Sequence, residues 1–82
     1  MSAAVVGLGY VGLPLAVELG TVRPTVGYDA DRAKMAHYER GVDPSGQITA
    51  DALRAASHLR FSSDPKALST ADYVIVAVPT PV

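Results

Sequence analysis

The sequence contains no cysteine, so disulfide frameworks, thiolate metal sites and cysteine nucleophiles are excluded within its 82 residues. It also lacks a charge excess of either sign. The formal net charge is −1, which gives no general attraction to nucleic acid or to an anionic membrane. No apolar run approaches the ~20 residues needed to span a bilayer. The opening Met1-Ser2-Ala3-Ala4 lacks the basic segment of a signal peptide, so a cytoplasmic location is the default expectation. Internal repeats and low-complexity stretches are absent. His37 and His58 have no cysteine, histidine or paired acid at ligand spacing, so surface positions are expected for them and no metal site.

What is present suits a globular domain: apolar residues make up 49% of the chain. A domain of this size buries only about 60–65% of its unfolded surface and is marginal alone.

The chain is organised around Val5-Val6-Gly7-Leu8-Gly9-Tyr10-Val11-Gly12. An apolar run breaks into G-x-G-x-x-G and continues as Leu13-Pro14-Leu15-Ala16-Val17-Glu18-Leu19. That is the pattern of a buried strand turning tightly into a helix. Gly7 can adopt the angles of the turn because it has no Cβ. Gly9 leaves room for a diphosphate against the main chain, and Gly12 lets the helix lie close to the strand. The first N–H groups of that helix, together with its dipole, make an anion site. A second apolar run, Thr25-Val26-Gly27-Tyr28, ends in Asp29, 22 positions after Gly7. An acid about 20 residues on is the expected partner of the adenosine ribose hydroxyls. Strand, glycines, helix and acid together read as a dinucleotide-binding turn. An acid at this position favours NAD over NADP, because a 2′-phosphate is repelled, although Arg32 and Lys34 lie close by.

Taken in order, residues 3–7 read as a first strand without polar alternation, as in a parallel strand covered on both faces. The first helix is expected from Gly9 or Tyr10 to Leu19, with Pro14 near its first turn, one face formed by Leu13, Ala16, Val17 and Gly20, and Gly20 as C-cap. Residues 25–28 form the second strand. A second helix covers residues 31–40, capped by Asp29 or Asp31 and stopped by Gly41. Its inward stripe is Ala33 and Ala36 with His37 at the next position, Met35 and Tyr38 lying at the edges. Residues 41–47 are the most loop-like. Thr49 or Asp51 caps a third helix over residues 50–57. Residues 59–62 form a third strand, and Pro65 opens a short helix ending near Ser69. Residues 73–78 form the last strand, which Pro79 and Pro81 terminate. Asp43, Asp51 and Asp64 adjoin turns or helix starts and read as caps. Tyr10 and Tyr28 can pack near an adenine or simply in the core or rim.

The pattern β-α-β-α-α-β-α-β predicts an α/β, Rossmann-type, doubly wound parallel sheet, partial at about four strands, in the order 3-2-1-4. Residues 1–82 are read as the amino-terminal part of that dinucleotide-binding domain, with the remainder and a substrate domain expected beyond it.

Gly7-Leu8-Gly9-Tyr10-Val11-Gly12-Leu13-Pro14-Leu15-Ala16 resembles the opening of the UDP-glucose/GDP-mannose dehydrogenases. Gly27-Tyr28-Asp29, Gly41-Val42-Asp43 and Val76-Ala77-Val78-Pro79-Thr80-Pro81 fit the same family, so the resemblance covers essentially the whole chain. It is strongest to the UDP-N-acetylhexosamine 6-dehydrogenase branch, which supplies aminouronic acids for capsule, Vi-type and O-antigen polysaccharides. The resemblance implies an NAD-dependent oxidation of the C6 alcohol of a UDP-sugar to the acid, by two hydride transfers with a covalent cysteine intermediate, in a homodimer. It implies that the backbone around Leu8, Gly9, Tyr10 and Val11 holds the diphosphate. Asp29 takes the adenosine ribose, with Lys34 beside it. Val78, Pro79 and Thr80 border the cofactor, Thr80 through its hydroxyl. The family's catalytic cysteine, lysine and asparagine fall beyond Val82, so no catalytic residue is expected here.

The chain departs from the family pattern at Ser45, where threonine is common, and at Gln47, where the branch usually has glutamate. Lys34 also reads as a solvated helix charge, Asp29 as a helix cap, and Thr80 as a strand end. Two other classes fit the opening motif: a non-catalytic nucleotide-sensing module, and the NAD-binding part of a 3-hydroxyacyl or 6-phosphogluconate type dehydrogenase. The Val-Pro-Thr-Pro ending argues against the latter.

Overall fold

The computed structural model describes residues 1–9 and 11–77. Four short strands, β1 (Ala3–Val6), β2 (Thr25–Tyr28), β3 (Leu59–Ser62) and β4 (Tyr73–Val76), alternate with helices α1 (Gly12–Gly20), α2 (Arg32–Glu39) and α3 (Ala50–Ala55) and a 3-10 helix (Pro65–Thr70). The strands form one parallel sheet in the order β3-β2-β1-β4, as the element pattern predicts. In register, Val5 sits beside Gly27 and Ile75, and Gly27 beside Phe61. That row belongs to the face on which the helices pack.

The core lies between this face and the helices. Val5, Leu8, Leu13, Ala16, Val17, Met35, Tyr38, Leu53 and Ala56 form one buried cluster. Val5, Leu8 and Leu13 are the largest side chains sealed completely. Each such burial contributes roughly 1.5–3 kcal/mol. On the opposite face the 3-10 helix lies against β2. Ala4 of β1 is fully buried, but Val74 and Val76 of β4 are 47% and 64% exposed. Coverage of both faces, expected from the unbroken apolar runs, therefore holds for β1 and not for β4, one of the two edge strands of the described sheet.

Several boundaries differ from expectation for physical reasons. α1 starts at Gly12 rather than Gly9 or Tyr10, because residues 7–9 are spent on the turn; the N–H of Leu13 nevertheless reaches the Gly9 carbonyl at 3.2 Å. Gly20 is not a C-cap. It is the last residue of α1, and Thr21 caps the helix in a right-handed conformation, its hydroxyl donating to the Glu18 carbonyl at 2.7 Å. Gly20 is small because α1 crosses β3 there: a Cβ would lie 2.5 Å from the Leu59 Cβ.

In α2 the inward residues are Met35 and Tyr38, while Ala33 and Ala36 are exposed. Two large side chains remove more apolar area from water than two methyl groups, and the Tyr38 ring packs on Phe61 with centroids 5.2 Å apart. Gly41, at φ +79, closes α2: its N–H donates to the Tyr38 carbonyl and the next N–H, of Val42, to His37. That is the paired-bond glycine stop. Thr49, not Asp51, caps α3, its hydroxyl accepting from Ala52 N–H at 3.1 Å. Asp51 instead pairs with Arg54, and α3 ends at Ala55, two residues early. Asp64 caps the 3-10 helix. Among the described residues no helix is long and apolar enough to cross a membrane.

Candidate dinucleotide site

The site forms where β1 and β2 end together. Gly7 takes φ +94, and its N–H donates to the Tyr28 carbonyl at 2.9 Å. The positive φ turns the chain sharply, a conformation costly for any residue with a Cβ. Leu8 then drives its side chain into the core, 1% exposed, and its N–H donates to Asp29 Oδ2 at 3.0 Å. Leu8 therefore enters the site as a strut: its N–H fixes Asp29. Gly9 is exposed, and a Cβ there would meet nothing within 4 Å. Gly12 is the opposite case, since a Cβ would lie 1.7 Å from the Gly7 carbonyl oxygen. Only glycine lets α1 begin so close to the end of β1. Val11 is the N-cap of α1, 71% exposed, and no side chain caps the helix. An uncapped N-terminus with no acid in its first turn retains its attraction for an anion.

Asp29 and Asp31 divide the work that the sequence left open between them. Asp31 caps α2, accepting from the N–H groups of Ala33 at 3.0 Å and Lys34 at 3.2 Å. Asp29 is thereby left to the turn. Its Oδ2 accepts from Leu8 N–H and its Oδ1 from Asp31 N–H at 3.0 Å. Lys34 Nζ stands 3.8 Å from Oδ2. Partial burial pushes the Asp29 carboxyl up, but the N–H groups of Asp31 and Leu8 and the Lys34 charge outweigh it and hold the group below its ordinary value. An ionised carboxylate has about four acceptor positions. Two are used by backbone N–H groups, so two vicinal hydroxyls can still be accepted.

Beside the turn lies a cavity of about 200 Å³ lined by Leu8, Gly9, Leu13, Lys34, Tyr38, Ser45 and Gln47. The structure thus brings Gly7, Leu8, Gly9, Gly12, Asp29 and Lys34 together at one end of the sheet, with Val11 at its rim. Tyr10, Val78, Pro79 and Thr80, also named from the sequence, lie outside the described residues. The sequence reading missed the contributions of Leu13, Tyr38, Ser45 and Gln47 to this wall. It placed Asp43 in a turn, but Asp43 is buried and holds the loop before α3 together. The Asp-Pro-Ser-Gly run signals a turn but not its burial. A larger hollow of about 500 Å³ on the β3 side is lined by Arg40, Leu53, Arg60 and Phe61, among others, and touches none of the predicted site residues. Among the described residues no group of three metal-ligating side chains occurs.

Open space at Gly9, spare acceptor positions on Asp29 and the uncapped start of α1 all fit NAD. The comparisons agree. The model of the UDP-glucose/GDP-mannose dehydrogenase family, NAD binding domain, matches residues 1–82. UDP-N-acetyl-D-glucosamine 6-dehydrogenase of Salmonella typhi is 42% identical over 79 residues, and that of Pseudomonas aeruginosa 44% over 82. These matches take in 96% and 100% of this chain, which spans 19% of the length of either relative. Among solved structures, a UDP-D-ManNAc dehydrogenase from Pyrococcus horikoshii superposes with TM-score 0.81 at 26% identity, over 100% of this chain and 21% of that one. A UDP-glucose dehydrogenase from Pyrobaculum islandicum gives 0.77 at 32% identity, over 98% and 21%. The chain belongs to the UDP-glucose/GDP-mannose dehydrogenase family and matches its NAD-binding domain.

Proposed function

We propose that this chain is the cofactor-gripping part of an NAD-dependent UDP-sugar 6-dehydrogenase, and that the sugar is a UDP-N-acetylhexosamine. The observation that carries the reading is the bond from Leu8 N–H to Asp29, which ties the ribose-binding acid to the glycine turn in one rigid unit. In this reading the diphosphate lies over Gly9 at the start of α1, near Val11 and Gly12, and Asp29 accepts the adenosine ribose hydroxyls. Lys34 steadies the Asp29 charge. Tyr10, Val78, Pro79 and Thr80 complete the border of the cofactor. Bound nicotinamide supplies the hydride acceptor. The residues of this chain bind and orient it and contribute no group to bond making. The UDP-N-acetylglucosamine relatives support the choice of sugar. The intact enzyme is proposed to be a homodimer.

The test is a substrate panel on the full-length protein: UDP-N-acetylglucosamine, -galactosamine and -mannosamine, UDP-glucose, GDP-mannose, a 3-hydroxyacyl substrate and 6-phosphogluconate, each with NAD and with NADP. The expected outcome is NADH formation with a UDP-N-acetylhexosamine, two NADH per sugar acid formed. Turnover of the hydroxyacyl or phosphogluconate substrate instead would assign the chain to another dehydrogenase. NAD binding without turnover of any of them would point to a sensing module.

A further inference from the structure

The loop between α2 and α3, residues 41–49, has little apolar burial of its own. Pro44, Ser45, Gly46 and Gln47 are all exposed, and within this stretch only Ile48 packs against the core. One carboxylate gives it its shape. Asp43 is only 9% exposed. Its Oδ1 accepts the Ser45 N–H at 3.0 Å and the Ser45 hydroxyl at 2.7 Å, and its Oδ2 accepts the Ile48 N–H at 2.8 Å. The Ser45 hydroxyl in turn accepts the Gln47 N–H at 3.4 Å. Bonds to a charged acceptor are about twice as strong as neutral ones. Spread over residues 45–48, they fix that segment in one conformation. The same segment closes the cavity at the glycine turn, where Ser45 and Gln47 share the wall with Leu8, Gly9 and Lys34.

We propose that Asp43 is a positioning residue for dinucleotide binding: by folding residues 45–48 around its carboxylate, it holds Ser45 and Gln47 as the outer wall of the pocket that receives the adenosine half of the cofactor. The inference rests on the NAD reading of this site. The adenosine half is assigned because the wall stands beside Lys34, the ion-pair partner of Asp29. Asn at position 43 would preserve the shape but present an amide N–H₂ to a backbone N–H, so a donor would face a donor and the charge would be lost.

The test uses the full-length protein, with NAD affinity measured by direct titration and folding by thermal unfolding. Asp43→Asn is expected to weaken NAD binding about five-fold or more, and Ser45→Ala, which removes only the hydroxyl with its contacts to Asp43 and Gln47, about two- to three-fold. The loss falls on KM for NAD rather than on kcat, and KM for the UDP-sugar stays put. A lowered Tm with unmoved NAD affinity in both variants overturns the proposal, since a merely structural role does that. If Asp43→Asn does not fold, Ser45→Ala, at an exposed position, decides the matter alone. A wild-type protein that does not bind NAD overturns the site reading itself, and the proposal with it. A wild type that binds NAD beside two variants that bind as well as it does overturns the proposal only.

Discussion

Gly9→Ala separates a glycine kept for a ligand from a glycine kept for the fold. Gly9 is not among the glycines at positive φ, and an added Cβ meets nothing within 4 Å. In the free protein the substitution is therefore unstrained. Reduced freedom of the unfolded chain should stabilise it by about 0.4–1 kcal/mol. In the complex, the new methyl occupies the space through which a diphosphate must approach the main chain. Holding a phosphate oxygen even ~1 Å further out takes an N–H contact of about 2.9 Å beyond hydrogen-bonding range. One charge-assisted bond lost costs about 1.5–3 kcal/mol, or roughly ten- to a hundred-fold in affinity. The signs are opposite: Tm unchanged or raised, NAD affinity lowered. Thermal unfolding and NAD titration of the full-length variant read both. Affinity within about two-fold of wild type would show that the open side of the turn is not where the cofactor sits. A fallen Tm would show that the site is not open.

Asp29→Asn should weaken NAD binding and narrow the preference for NAD over NADP, because a 2′-phosphate then meets no negative charge; steady-state kinetics with both cofactors give the ratio, and an unmoved ratio removes Asp29 from the ribose. Gly20→Ala should destabilise the fold by a net of about 1–2 kcal/mol: the clash with Leu59 costs roughly 1–3 kcal/mol and the helix-propensity gain returns under about 1 kcal/mol. Unfolding in urea measures it, and a stabilised variant would mean that α1 does not cross β3 so closely. Acid should destabilise the domain through two carboxyls. Burial raises and donated hydrogen bonds lower the pKa of both Asp29 and Asp43, with a net fall below 3.8. A folded-state value below the unfolded one contributes stability that is present above the unfolded value and lost as pH falls through the folded value. Unfolding free energy should therefore drop below about pH 4, and the drop should shrink in Asp43→Asn; an equally steep drop in that variant removes Asp43 from the account.

Within the sheet, β1 and β4 were legible as unbroken apolar runs, and β2 and β3 as short runs set between turn and helix signals; all four begin at the expected residue. Its order followed from the glycine turn and the handedness of crossovers. Inside the helices legibility fell. Whether Ala36 or Tyr38 faces inward depends on what lies opposite, and the partner of Tyr38, Phe61, is 23 positions further along the chain. Gly20 was read as a C-cap because its position permits that role. Its real constraint is the Leu59 Cβ, a contact between residues that only the folded sheet brings together.

The site divides along the same line. The glycine spacing and the acid after β2 are local and could be read directly. The duties of Asp29 and Asp31 could not, because either acid is close enough to cap α2. Asp31 alone accepts from the N–H groups of Ala33 and Lys34, and this frees the Asp29 carboxylate to reach 21 positions back to Leu8. Two neighbouring acids therefore do what one could not. One satisfies the helix, and the other stays ionised beside the turn with acceptor positions to spare. The need for both follows because the free N–H groups at the start of α2 take a side-chain acceptor, which Asp31 supplies. Had Asp29 been the cap, one of its oxygens would have taken the N–H groups of α2, as Oδ1 of Asp31 does, and fewer acceptor positions would have remained at the turn.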